Sequence, residues 1–144
     1  MIMLKQYSLR LSGSKKLTPH LSVREFACHD GSDAILISDP LPEVLEAIRN
    51  HFGKPLRITS GYRTPAWNRK VGGVAKSQHT LGTAADINID DETPLAVYRA
   101  IVNGWVAGVD PERLGVGLYL GFVHVDVRGH RARWHGAGVE GVEE

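Results

Sequence analysis

Ser77-Gln78-His79-Thr80-Leu81-Gly82-Thr83-Ala84-Ala85-Asp86 places an imidazole and a carboxylate seven positions apart, with glycine and small residues between them. The two groups converge if His79 lies in a loop and Asp86 on the strand that follows, and Gly82, Ala84 and Ala85 leave the backbone room for that approach. Further along, Phe122-Val123-His124-Val125-Asp126-Val127 alternates as a strand does, so Phe122, His124 and Asp126 share one face. Two histidines and one aspartate from separate segments make an open zinc site, with three protein ligands and a fourth position for water. A structural zinc would normally be closed by a fourth side chain, so this pattern points to catalysis. Each residue alone has a plainer reading, His124 as a structural histidine and Asp86 as a strand-end cap; the ordered set is what promotes them.

The surrounding sequence predicts the scaffold. Residues 83–89 alternate as a strand, and residues 114–120 and 122–127 read as two strands of a hairpin around Leu120-Gly121. Residues 56–60 form a further short strand that leaves through Gly61-Tyr62-Arg63-Thr64-Pro65. Asp39-Pro40 opens a helix whose apolar positions Leu41, Val44, Leu45, Ile48 and Phe52 recur at helical spacing before Gly53 ends it. Residues 65–71 are expected as a helix closed by Gly72-Gly73, and Thr93-Pro94 as the start of another running to about Val106. Ser22 and Glu25 fit a capping box opening a short helical turn through Phe26, and Cys28-His29-Asp30-Gly31 reads as a turn. The sum is an α+β fold, a small and mainly antiparallel sheet with helices packed on one face.

At 144 residues the chain has the length of one ordinary domain. Weak patterning and Ser12-Gly13-Ser14-Lys15-Lys16 predict a loosely ordered arm over 1–16, a domain over 17–137, and a flexible acidic tail over 138–144. The 17 basic and 16 acidic side chains nearly cancel, which gives no electrostatic case for nucleic acid or an anionic membrane. The single cysteine, Cys28, excludes an internal disulfide and a cysteine-based zinc knuckle, and is read as a small buried apolar side chain. Residues 1–17 lack the apolar stretch of a signal peptide, and no later run is long enough to span a bilayer. The expectation is a soluble monomer made in the cytoplasm. Trp67, Trp105 and Trp134 read as core, Trp134 near enough to the last motif to border a cleft.

These residues resemble the zinc D-alanyl-D-alanine carboxypeptidases and the related peptidoglycan endopeptidases of phages and bacteria. The family pattern Ser-x-His-x-x-Gly-x-Ala-x-Asp is met by Ser77, His79, Gly82, Ala84 and Asp86, and the later histidine of the zinc triad falls on His124. Ser60-Gly61-Tyr62-Arg63-Thr64-Pro65, Asn68, Gly72-Gly73 and Arg133-Trp134 are similar to the family as well. The resemblance implies a hedgehog/DD-peptidase-like fold and a zinc ion held by His79, Asp86 and His124. It implies hydrolysis of peptidoglycan stem peptides, with zinc lowering the pKa of water from ~16 toward ~7 and polarising the scissile carbonyl. Arg63 is then the cation that stabilises the oxyanion, or alternatively a loop brace. Ser77 is expected to bond the substrate backbone, and Tyr62, Tyr119 and Trp134 to line the cleft.

One position departs from the pattern. Many relatives carry an acid three residues before the last zinc histidine as general base, and here that residue is Gly121. Asp126 is the nearest replacement, with His135 behind it, although Asp126 also suits an orienting role toward His124. Without a base the protein would be a catalytically silent zinc-bearing binding module. With one, the absence of a signal peptide favours a phage endolysin or virion-associated enzyme that reaches the wall on release.

Overall fold

The computed structural model describes residues 3–139. The scaffold is a five-stranded sheet of β5 (Leu56–Ser60), β6 (Ala84–Ile89), β8 (Val123–Asp126), β7 (Gly115–Leu118) and β9 (Ala132–His135), in that spatial order. All neighbours are antiparallel except β7 and β9, which run parallel. Two small antiparallel pairs flank it: β1 (Leu4–Ser8) with β4 (Ala34–Ser38), and β2 (Lys16–Thr18) with β3 (Leu21–Ser22).

Strand alternation divides the large sheet into two chemically different faces. Ala85, Ile87, Ile89, Val116, Leu118, Val123 and Val125 belong to the buried core. Two amphipathic helices cover it, α2 (Pro40–Phe52) against β4 and β6, and α4 (Pro94–Val102) against β6, β7 and β8. The opposite face carries a transverse row in register: Asp86 pairs with His124, His124 with Gly117, and Gly117 with Trp134. The helices thus bury one side while the other is left for polar chemistry, the α+β arrangement that the alternation predicts.

Several boundaries differ from the sequence reading. Residues 4–12, expected as part of a loose arm, form β1 and α1 (Leu9–Ser12), with β1 paired along its whole length to β4. The two strands escaped notice for different reasons: β1 has largely exposed side chains, and Ala34-Ile35-Leu36-Ile37-Ser38 is a short apolar run with no period to read. Helix α4 stops at Val102 rather than near Val106, because Asn103 and the left-handed Gly104 (φ 72°) end it. Trp105 beyond it is 59% exposed and not core. Of the acidic tail, residues 140–144 lie outside the described residues, while Val139 packs against the core. The capping box at Ser22 and Glu25 is present and opens a 3-10 turn over Val23–Phe26. No helix among the described residues is long and apolar enough to cross a membrane.

Candidate metal centre

A 3-10 turn, Gln78–Leu81, carries His79 over the polar face of the sheet. Ser77 caps it, its hydroxyl accepting the His79 N–H at 3.2 Å. Gly82 ends it in the left-handed region (φ 75°), and a Cβ there would stand 2.7 Å from the Leu36 carbonyl oxygen. Only glycine satisfies both demands, and its carbonyl accepts from Ser38 N–H at 2.9 Å, which ties the turn to β4.

Three ligand atoms converge below the turn. Asp86 Oδ1 lies 3.2 Å from His79 Nε2 and 3.1 Å from His124 Nδ1. All three atoms lie within 4.8 Å of one another, and the residues are 3%, 5% and 8% exposed for His79, Asp86 and His124. Around a tetrahedral zinc with bonds of about 2.0–2.1 Å, adjacent ligand atoms stand about 3.3 Å apart, so the donor set fits that ion. Each imidazole is also oriented from behind. His79 Nδ1 donates to the Gly61 carbonyl oxygen at 2.7 Å, leaving the Nε2 lone pair for a metal. His124 Nε2 bonds Asp126 Oδ2 at 2.7 Å, which turns Nδ1 toward Asp86.

The carboxylates hold their charge by different means. Burial pushes Asp86 up, but hydrogen bonds with His124 and His79 more than offset it and hold the group at about 2. Burial likewise opposes ionisation of Asp126, and hydrogen bonds from Arg128 and His124 prevail, setting it well below the usual range. Arg128 grips Asp126 in bidentate fashion, Nε to Oδ1 and NH2 to Oδ2, both at 2.8 Å. For His124 the burial that would push its pKa down is outweighed by Asp126 and Asp86, which raise it.

The centre forms the floor of a cleft of about 620 Å³. Arg63, the loop over residues 71–78, and Tyr119, Phe122, Arg128 and Trp134 line it. A bulge in β5 between Ile58 and Ser60 sets Ser60 opposite Asp86, and the chain then brings Arg63 NH2 to 3.6 Å from Asp86 Oδ2. Ser60 Oγ and Asn68 Oδ1 accept from the same guanidinium at 3.1 and 3.2 Å. The Trp134 ring lies 5.0 Å from that of His124, and its Nε1 donates to the Tyr119 hydroxyl at 2.9 Å. Tyr119 in turn stacks on Phe122.

Of the residues singled out in the sequence, His79, Asp86, His124, Arg63, Ser77, Tyr119 and Trp134 come together here. Tyr62 does not; it packs against the core. Asp126 stands on the expected face but behind His124, fully buried and bonded to His124 and Arg128, rather than in the cleft. Arg128 and Lys76 were missed. Extending the alternation His124, Asp126 by one more step would have found Arg128, whereas Lys76 in a loop gives no periodic signal.

The family model for peptidase M15 matches residues 16–126, a span that contains His79, Asp86 and His124. The chain belongs to the peptidase M15 family. This M15 chain is also 35% identical over 60 residues to the zinc D-Ala-D-Ala carboxypeptidase of Streptomyces albus G. The match covers 41% of this chain and 24% of that protein, so the chain aligns with about a quarter of the relative's length.

Proposed function

We propose that this protein is a zinc-dependent peptidase that hydrolyses peptide bonds of peptidoglycan stem peptides, as a carboxypeptidase or an endopeptidase. The observation that carries the proposal is the convergence of His79 Nε2, Asp86 Oδ1 and His124 Nδ1 at the floor of an open cleft, with the Arg63 guanidinium beside them. The S. albus G relative's name supports both the metal and the substrate class. A bound zinc supplies a Lewis acid for the scissile carbonyl and lowers the pKa of water.

The chain's own residues do the rest. The Gly61 carbonyl and the Asp126 carboxylate keep the two imidazoles in the tautomers that present Nε2 and Nδ1. Arg63, held by Ser60, Asn68 and Asp86, keeps a fixed cation next to the position where negative charge develops on the substrate carbonyl oxygen. Ser77 offers its hydroxyl to the substrate backbone, and Tyr119 and Trp134 supply an apolar wall. Asp126 acts as a positioning residue for His124, not as the base. Release from a phage-infected cell, or carriage on a virion, is the delivery route we favour for a lysin of this kind.

Gly121 and Asp126 support a second reading. Asp86 is the sole carboxylate among the residues lining the cleft, and it is one of the ligands. A zinc-bearing module that binds wall peptide without cutting it would have such a site. Release of new amino groups from purified peptidoglycan separates the two. The peptidase reading requires release by the zinc-loaded wild type and its loss in His79→Ala; no release by the folded, zinc-loaded wild type leaves the binding module.

A further inference from the structure

Helix α3 (Pro65–Lys70) has one buried side chain, and it is polar: Asn68 is 2% exposed. A buried amide destabilises a fold unless its polar atoms are bonded. Both are bonded here, to different partners. Oδ1 accepts from Arg63 NH1 at 3.2 Å, and Nδ2 donates to the Val74 carbonyl oxygen at 2.7 Å. A guanidinium only donates and a carbonyl only accepts, so the partners themselves fix which end of the amide is which. Asn68 does not line the cleft, yet it joins two parts that do, the cation beside Asp86 and the loop over residues 71–78.

The backbone repeats the join. Gly73 N–H donates to the Asn68 carbonyl oxygen at 2.8 Å. The loop passes so close that a Cβ at Gly73 would collide with Asn68 Oδ1 and stand 3.1 Å from Arg63 NH1, so glycine is needed there for space. Val71 and Val74 are exposed. Apolar burial therefore does little to place this part of the loop, and the bonds to Asn68 carry it.

We infer that Asn68 is a positioning residue with two separable roles: its amide oxygen fixes Arg63 for turnover, and its amide nitrogen fixes the 71–78 loop for holding the bound peptide. The first role rests on the peptidase reading; the second requires only that the cleft bind wall peptide. Without Oδ1, Arg63 keeps Ser60 and Asp86 but loses the brace on its loop side, and a displaced cation no longer meets the developing charge. Without Nδ2, the loop keeps the Gly73 backbone bond but loses the anchor at Val74.

The test uses the zinc-loaded full chain and three variants. Asn68→Asp keeps an oxygen for Arg63 and puts an acceptor where Val74 needs a donor. Asn68→Ala removes both bonds. Gly73→Ala, on the loop and outside any helix or strand, presses on the same join without altering α3. Amino-group release from soluble, peptide-bearing wall fragments gives kcat and KM, co-sedimentation with purified peptidoglycan gives binding, and chelator competition gives zinc affinity. A thermal melt beside wild type checks each fold. Asn68→Asp should raise KM about five- to tenfold, as for one lost hydrogen bond, with kcat within about threefold of wild type. Asn68→Ala should show the same rise in KM and a kcat lowered about tenfold or more; Gly73→Ala should move both constants in those directions. Zinc affinity should stay within about threefold throughout, since no ligand is changed.

Unchanged constants in folded Asn68→Ala would overturn the inference, and if that variant fails to fold, unchanged constants in Gly73→Ala would do so. Equal loss of kcat in Asn68→Asp and Asn68→Ala would refute the separation of roles, and zinc affinity falling in step with activity would reduce Asn68 to a support of the fold. A wild type that releases no amino groups defeats the peptidase reading and the first role with it. Co-sedimentation then decides the second: binding about five- to tenfold weaker in Asn68→Asp sustains it, and binding equal to wild type overturns it.

Discussion

Replacing Asp126 with alanine removes the carboxylate that stands between His124 Nε2 and the Arg128 guanidinium. Breaking a fully buried charge pair from one side costs about 3–5 kcal/mol. Arg128 keeps 22% of its side chain exposed and can turn toward water, so about 2–3 kcal/mol is the better figure here. The effect on the metal follows from the imidazole: with its Nε2 partner gone, His124 loses the bond that aims Nδ1 at Asp86. Loss of such a partner typically lowers metal affinity 10–100-fold, or about 1.4–2.7 kcal/mol. Competition titration against a zinc chelator, with denaturant unfolding of the metal-free protein alongside, measures both quantities. Cleavage by the variant should return substantially once zinc is raised enough to refill the site. If Asp126→Ala bound zinc as tightly as wild type, yet stayed inactive at saturating zinc with an intact fold, Asp126 would be the proton-transfer residue and the positioning argument would be wrong.

Gly121→Asp should fold with stability within about 0.5 kcal/mol of wild type, because a Cβ at that turn meets nothing within 4 Å, and should raise the rate of wall cleavage at unchanged zinc affinity. Unaltered cleavage would show that no base acts from that turn. Gly82→Ala should lower the unfolding midpoint, by about 1–2 kcal/mol for the left-handed backbone and more for the clash with the Leu36 carbonyl, and should weaken zinc binding in parallel; a urea titration and a zinc titration check the pair. Glu46 accepts from His20 N–H at 2.9 Å, and although burial pushes its pKa up, hydrogen bonds, those of His20 among them, hold it below the ordinary 4.5. A lowered folded-state pKa stabilises the protein fully above the unfolded value and is lost as pH falls through the folded one. The stability gap between wild type and Glu46→Gln should therefore narrow as urea titrations move from pH 6 to pH 3.

The legible parts of this protein were those with a period or a fixed chemical spacing. Helix α2 announced itself through Leu41, Leu45 and Ile48, all fully buried, between Asp39-Pro40 and Gly53. Strands β6 and β8 were readable because alternation separates Ile87, Val123 and Val125 from Asp86, His124 and Asp126, and two of the three candidate metal ligands came with them; the third, His79, was legible from its fixed spacing to Asp86. Strand β4 was hidden because the four consecutive apolar residues Ala34–Ile37 have no period, and β9 because its pairing is parallel to β7, across a sequence gap that local patterns do not describe. At the site, spacing placed Asp126 on the face of His124 but could not say whether it looked into the cleft or lay behind the imidazole. That choice depends on Arg128, whose side chain closes over Asp126, and on Gly115 and Gly117 of β7, which make room for Asp126 and Trp134. Tyr62 illustrates the converse: adjacency to Arg63 in sequence suggested the cleft, but the side chain turns to the core.

Isothermal titration of zinc into the metal-free protein reports whether His79, Asp86 and His124 together hold one zinc ion. Wild type should take up one ion per chain, with binding weakened by several orders of magnitude in Asp86→Ala, because that carboxylate oxygen touches both imidazoles. Stoichiometric zinc of unchanged affinity in a folded Asp86→Ala would contradict that assignment.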